Sequence, residues 1–301
     1  SSSELWVLGM AANPDFTSLL MAVNGGQIWK TIDSGRKWFA IDDYDDQGRL
    51  ESNISYMGLT ASPDLTKILA ATGESSFLRM SLNSGLSWFN VGHQDTWNAV
   101  CSSYDFRFLA AAASKDISIS YDSGQNWSRG PDMTNQFATA PYGDGFELSQ
   151  ILSITSDQQF FKFVVLCKFF NKDYNTYIYG LYYSEDSGLK FELKELPVLQ
   201  NAYAVVSNYD FSKFAISTKD IFPNKTRCVA AYTTTTVGEW KWNGIQISMK
   251  DSSQKQPSDV CGGLAVSPDF QKMFSINNLA SDGNVTYRFF SDKNSWSKSK
   301  T

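Results

Sequence analysis

The sequence predicts an all-β chain of six similar units, each a four-stranded antiparallel sheet, and three observations predict it. An eight-residue pattern returns four times along the chain. A shorter companion pattern marks six places at intervals of about 50 residues, and a long fixed period means one supersecondary unit per copy, stacked on its neighbours. Between these signals lie apolar runs of about five residues bounded by Gly, Pro, Asp and Ser, and no window sustains capped helical periodicity. Little helix is expected.

The eight-residue pattern reads Thr31-Ile-Asp33-Ser-Gly35-Arg-Lys-Trp38, Ser81-Leu-Asn83-Ser-Gly85-Leu-Ser-Trp88, Ser120-Tyr-Asp122-Ser-Gly124-Gln-Asn-Trp127 and Ser184-Glu-Asp186-Ser-Gly188-Leu-Lys-Phe191. Its chemistry is structural. Asp at the third position accepts from backbone N–H groups of its own turn. Gly at the fifth takes a positive φ. The aromatic at the eighth lays an apolar plate between neighbouring sheets. The first-position hydroxyl closes the turn, so the pattern reads as a hairpin clasp rather than an active site.

The companion reads Asn13-Pro14-Asp15-Phe16, Ser62-Pro63-Asp64-Leu65, Ser103-Tyr104-Asp105-Phe106, Ser156-Asp157, Asn208-Tyr209-Asp210-Phe211 and Ser267-Pro268-Asp269-Phe270. Units five and six keep it but lose most of the clasp, offering Thr233 to Trp240 and Ser291 to Trp296 as degenerate copies. The innermost strands read small and apolar (Val7 to Ala11, Ala99 to Cys101, Ala204 to Val206, Gly263 to Val266), which suits a crowded central channel. Units of approximately 4–43, 53–92, 97–130, 148–195, 202–245 and 259–298 make one domain over 1–301.

The eight-residue pattern resembles the Asp-box, or bacterial neuraminidase repeat. Three copies match it fully, and Asn83 replaces Asp in the second. The resemblance implies a β-propeller of four-stranded antiparallel blades, with the Asp-box joining the third and fourth strands, and the companion turns make it six-bladed. Unit one begins with its own inner strand and unit six ends with its own outer strand, so closure is expected from packing between blades rather than strand exchange, the alternative being an edge completed by chain outside this sequence.

The 301 residues carry 15% aromatic side chains and a net charge of −5, with a pI near 5.0. That balance argues against a nucleic-acid partner, which needs clustered Lys and Arg. No apolar run of about 18 residues predicts a membrane span. Cys101, Cys167, Cys228 and Cys261 form no C-x-x-C pair, and one His accompanies them, so neither zinc nor a cofactor is expected. They read as free strand cysteines, with Cys228–Cys261 as the pairing to consider. Sequons at Asn53, Asn126, Asn224 and Asn284 point toward a secreted chain.

Candidate ligand residues fall in loops joining one unit to the next, or second strand to third. These loops share a face opposite the clasps. Asp43 and Asp45 lie in an acidic loop whose oxygen ligands are calcium chemistry, but no Glu follows at the right distance, and it reads as solvated. Tyr142 and Asp144 lie in the longest connection. His93, Asp95 and Trp97 bring the only His beside an acid. Tyr174 and Arg227 extend the rim. The blend suits a glycan or a protein partner equally.

A non-catalytic binding scaffold therefore leads. The alternative is a glycoside hydrolase using carboxylates at the channel mouth. Resemblance to sialidases would require three convergent Arg, a Tyr–Glu nucleophile pair and an acid/base Asp; the seven Arg (36, 49, 79, 107, 129, 227 and 288) do not supply such a triad. Sortilin-type receptors and photosystem II assembly factors also carry the pattern. The former add cysteine-rich modules and the latter a basic Arg patch, neither present here.

Overall fold

The computed structural model describes residues 7–23, 27–41, 54–132, 145–194, 202–219, 228–236, 239–246, 261–277, 286–291 and 295–299. They form six four-stranded antiparallel sheets with no helix, each sheet a meander of consecutive strands. Sheet one holds β1 (Val7–Ala12), β2 (Leu19–Val23), β3 (Ile28–Thr31) and β4 (Phe39–Ile41). Sheet two holds β5 (Tyr56–Ala61), β6 (Ile68–Thr72), β7 (Ser76–Ser81) and β8 (Phe89–Asp95). Sheet three holds β9 (Ala99–Ser102), β10 (Leu109–Ala112), β11 (Asp116–Ser120) and β12 (Ser128–Asp132). Sheet four holds β13 (Phe146–Ser156), β14 (Phe163–Asn171), β15 (Thr176–Ser184) and β16 (Glu192–Lys194). Sheet five holds β17 (Ala202–Ser207), β18 (Lys213–Lys219), β19 (Cys228–Thr236) and β20 (Glu239–Gln246). Sheet six holds β21 (Cys261–Val266), β22 (Met273–Asn277), β23 (Thr286–Ser291) and β24 (Ser295–Ser299).

The first strands close a cycle. β1 packs on β5, β5 on β9, β9 on β13, β13 on β17, β17 on β21, and β21 on β1. Each sheet is contiguous in sequence, so the described strands close the ring by packing. The core is correspondingly divided, one apolar cluster to each interface between neighbouring sheets.

Six companion turns join first strands to second strands. In each, the head residue (Asn13, Ser62, Ser103, Asp157, Asn208 or Ser267) accepts at its carbonyl from the N–H three residues on. The fourth unit's turn spans 157–160, one residue later than the sequence reading placed it: Asp157 replaces the Ser or Asn head, and Gln159 replaces Asp. The residue three past each head (Phe16, Leu65, Phe106, Phe160, Phe211 or Phe270) has φ between 56° and 64°, although none is Gly. Each of these side chains is buried in the cluster against the preceding sheet. That burial stabilises a backbone conformation that costs about 1–2 kcal/mol for a residue bearing Cβ.

The four clasps join third strands to fourth. The Ser81 hydroxyl donates to Asn83 Oδ1 at 3.0 Å and accepts from Gly85 N–H at 2.9 Å, while Asn83 Oδ1 accepts from Ser87 N–H at 3.0 Å. Asp33, Asp122 and Asp186 make the same set with Thr31, Ser120 and Ser184. Gly35, Gly85, Gly124 and Gly188 take φ of 81° to 89°. At Gly85 a Cβ would also sit 2.2 Å from Ile41 Cγ2 of the preceding sheet. The indoles of Trp38, Trp88 and Trp127 return to the Gly carbonyl at 3.0–3.1 Å. Trp88 and Phe191 are buried, and Trp38 and Trp127 half-buried, each packed at the interface with the preceding sheet.

A backbone bond sews each clasp to its own companion turn. Ser34, Ser84, Ser123 and Ser187 N–H donate at 2.8 Å to the carbonyls of Thr17, Thr66, Arg107 and Phe161. Clasps and companion turns thus share one face. In the degenerate copies the described residues extend the paired strands instead, Thr236 lying opposite Glu239 and Ser291 opposite Ser295. Thr233 to Thr236 lie inside β19, with Thr235 opposite Trp240 of β20, so no eight-residue loop exists there.

Candidate binding site along the axis

Counting back from the turn heads places the inner strands in a common register. The residue four before each head is small: Gly9, Gly58, Ala99, Ser153, Ala204 and Gly263. It faces the next sheet. A Cβ on Gly9 would lie 2.3 Å from Leu59 N, and one on Gly58 would lie 3.2 Å from Asn98 O. Ser153 makes the same contact as a hydrogen bond, its Oγ accepting from Val205 N–H at 3.1 Å and donating to Val205 O at 3.2 Å. The small residues therefore let parallel inner strands approach one another.

The inner strands enclose an axial cavity of about 250 Å³. Its described lining contains no Asp, Glu, His, Lys or Arg. Where the residue two before one head meets the residue one before the next head, the wall is two-sided. Three consecutive interfaces are polar. Thr60 and Ser102 hydroxyls bond at 2.8 Å, Cys101 S–H donates to Ser156 Oγ at 3.6 Å, and Thr155 and Ser207 hydroxyls bond at 2.8 Å. The other three interfaces place Val206 with Val266, Ala265 with Ala12, and Ala11 with Ala61 at the same register. Burial pushes the Cys101 thiol up to about 12, so it stays protonated as a donor.

One mouth of the cavity is ringed by the residue after each head: Pro14, Pro63, Tyr104, Gln158, Tyr209 and Pro268. This ring lies on the face of the clasps. It too is divided, Pro on the side of the Ala and Val pairs, Tyr-Gln-Tyr on the side of the hydroxyls. The rings of Tyr104 and Tyr209 meet edge to face at 5.3 Å. Tyr104 N–H donates to Gln158 Oε1, and Tyr209 N–H donates to Pro268 O at 3.0 Å.

Of the sequence candidates, Asp43, Asp45, Tyr142, Asp144 and Arg227 lie outside the described residues. His93 and Asp95 do come together at the end of β8, with His93 Nε2 3.8 Å from Asp95 Oδ2 and Arg129 Nη2 3.8 Å from the same oxygen. Trp97 is 1% exposed, so it offers no stacking surface to a ligand. Instead its indole donates to His93 O at 3.2 Å and its ring meets the imidazole edge-on at 4.9 Å, propping the loop from beneath. Tyr174 stands 78% exposed at the tip of the β14–β15 hairpin, where Asn171 Oδ1 accepts from its N–H. None of these four lines the axial cavity. Cys167 is buried and free; the side chains of Cys228 and Cys261 lie outside the described residues. The mouth ring was missed because its signal, a residue beside each turn Asp, varies between Pro, Tyr and Gln.

No family model matches the sequence, and no curated protein matches it. Solved structures do. The GH74 enzyme of Niastella koreensis aligns with a TM-score of 0.62 at 13% identity, over 99% of this chain and 46% of that one. The protein described as YCF48 bound to D1 peptide aligns at 0.54 and 10% identity, over 98% and 82%. A chain of the nidogen/laminin complex aligns at 0.55 and 10% identity, over 79% and 79%. The fold is that of a β-propeller. At these identities the likeness reaches no further than the fold, and the propeller spans about half the length of the GH74 chain it matches.

Proposed function

We propose that this chain is a non-catalytic propeller of six blades, a single domain closed by Asp-box hairpins, that recognises a protein partner through the face carrying its turns. One observation carries the reading. Among the described residues twelve large apolar side chains stand exposed, and eight of them (Ile32, Leu82, Leu86, Tyr104, Tyr121, Phe161, Leu189 and Tyr209) sit in clasps or companion turns. Apolar side chains concentrated on one face mark an interaction surface. Five of them, Ile32, Leu82, Leu86, Tyr121 and Leu189, occupy the second and sixth positions of the clasps, and Tyr104, Phe161 and Tyr209 lie at the companion turns. The described axial lining, which holds no charged side chain, supports binding over hydrolysis, because glycoside hydrolysis needs two carboxyls about 5–10 Å apart. That one neighbour in fold is seen bound to a peptide and another within the nidogen/laminin complex accords with a partner-binding role.

The test is a photo-crosslinking amino acid placed in turn at Leu86 and at Tyr174, on opposite faces. Crosslinks to a partner from the source cells at Leu86, lost in Leu82→Glu and absent at Tyr174, are the expected result. Crosslinks confined to Tyr174 would refute the assignment of the face.

A further inference from the structure

We propose that the axial cavity is a binding site for one uncharged sugar residue, the end of a neutral glycan. Charge decides the class first. A charged group entering a cavity with no counter-charge in its described wall would lose its hydration uncompensated. Size decides next: about 250 Å³ falls below the range of about 300–1,000 Å³ for drug-sized ligands and suits a single ring.

The wall then selects a polyol. Thr60 with Ser102, and Thr155 with Ser207, are hydroxyl pairs on two interfaces. One hydrogen bond between two hydroxyls uses one proton and leaves the other O–H free to donate, with lone pairs still free to accept. Each pair can therefore answer a sugar hydroxyl in either sense. The opposite side of the cavity is Ala and Val, and a pyranose is divided in the same way, with hydroxyls at its edge and C–H groups on its face. At the mouth Tyr104 and Tyr209 add aromatic surface of the kind that packs on such a face.

The probes are methyl β-D-glucopyranoside, methyl β-D-galactopyranoside and methyl α-D-mannopyranoside, read by saturation-transfer NMR, with D-glucuronate as the charged control. At least one neutral glycoside should bind saturably and the glucuronate should not. Thr60→Val with Thr155→Val should weaken binding about tenfold or more, as expected for lost hydrogen bonds. Ser102→Ala gives the same reading should that double variant fail to fold. Leu86→Glu, in the outer part of the face, should leave sugar binding unchanged, which separates this site from protein docking. No saturable binding of any of the three glycosides, equal binding of glucuronate, or full affinity in the folded hydroxyl variants would each overturn the proposal.

Discussion

A clasp concentrates its polar chemistry on one carboxylate or amide. In Asp122, the Asn126 N–H and the Asn126 side chain are the leading causes that hold the carboxyl below its usual range, against a small opposing effect of burial. Asp33 is lowered chiefly by the Lys37 N–H, and Asp186 is lowered despite burial because the Lys190 N–H and the Ser184 hydroxyl bond it. In the companion turns, Asp15 is lowered first by the Thr17 N–H; Asp64, Asp105, Asp210 and Asp269 are lowered first by the hydroxyls of Ser62, Ser103, Ser212 and Ser267. A depressed folded-state value stabilises the fold above the ordinary carboxylate range and ceases to do so as pH falls through the lowered value. The propeller should therefore hold its melting temperature down to about pH 4 and lose it steeply below, as the turn carboxylates take up protons. A melting temperature that stays unchanged as pH falls from about 4 to about 2, measured by circular dichroism, would contradict this. At the indole of the second clasp, Trp88→Ala removes a side chain 1% exposed, at an expected cost of about 3–5 kcal/mol in urea melts.

At the scale of the element, the two kinds of turn differ in how far sequence reveals them. The clasps are legible because every bond falls within eight residues and each role demands one residue type. The companion turn of sheet four was misplaced by one residue because Asp157 supplies through Oδ1 the acceptor that Ser or Asn supplies elsewhere. Trp97 counts among the candidate ligand residues by sequence because nothing local distinguishes an exposed Trp from a buried one. The two-sided channel is written in the sequence, but across it: Thr60 and Ser102 are 42 positions apart, and their pairing emerges only once the turn heads are aligned. The small residue four before each head makes a sharp prediction. Gly9→Ala should destabilise by roughly 1–3 kcal/mol, because its methyl would meet the backbone N of Leu59. Gly263→Ala should cost less, because its methyl would meet the movable Met10 Cγ and Sδ. Equal losses in denaturant melts would show that inner-strand spacing is not set there.

Across the whole molecule, no sheet owns its core. Each apolar cluster is shared by two neighbours, and the last interface, where β21 meets β1, joins the chain's distant ends. A repeat unit of this kind cannot bury its hydrophobic face alone, and stacking neighbours makes the core continuous. The two faces carry different features. The sequence expectation looked to the loops between units, and the cluster of His93, Asp95 and Arg129 does gather there. The described axial cavity nevertheless reaches its mouth ring among the turns.

The left-handed Phe and Leu residues have a consequence for assembly. Each holds a backbone shape that is unfavourable on its own and becomes tolerable only when its side chain finds the neighbouring sheet. A lone meander, newly formed, would carry that local penalty with nothing to offset it, so its first hairpin should fray until a neighbour docks. Six such conditional corners make partial rings poor resting states. The chain should populate the finished ring or the unfolded ensemble, and little between.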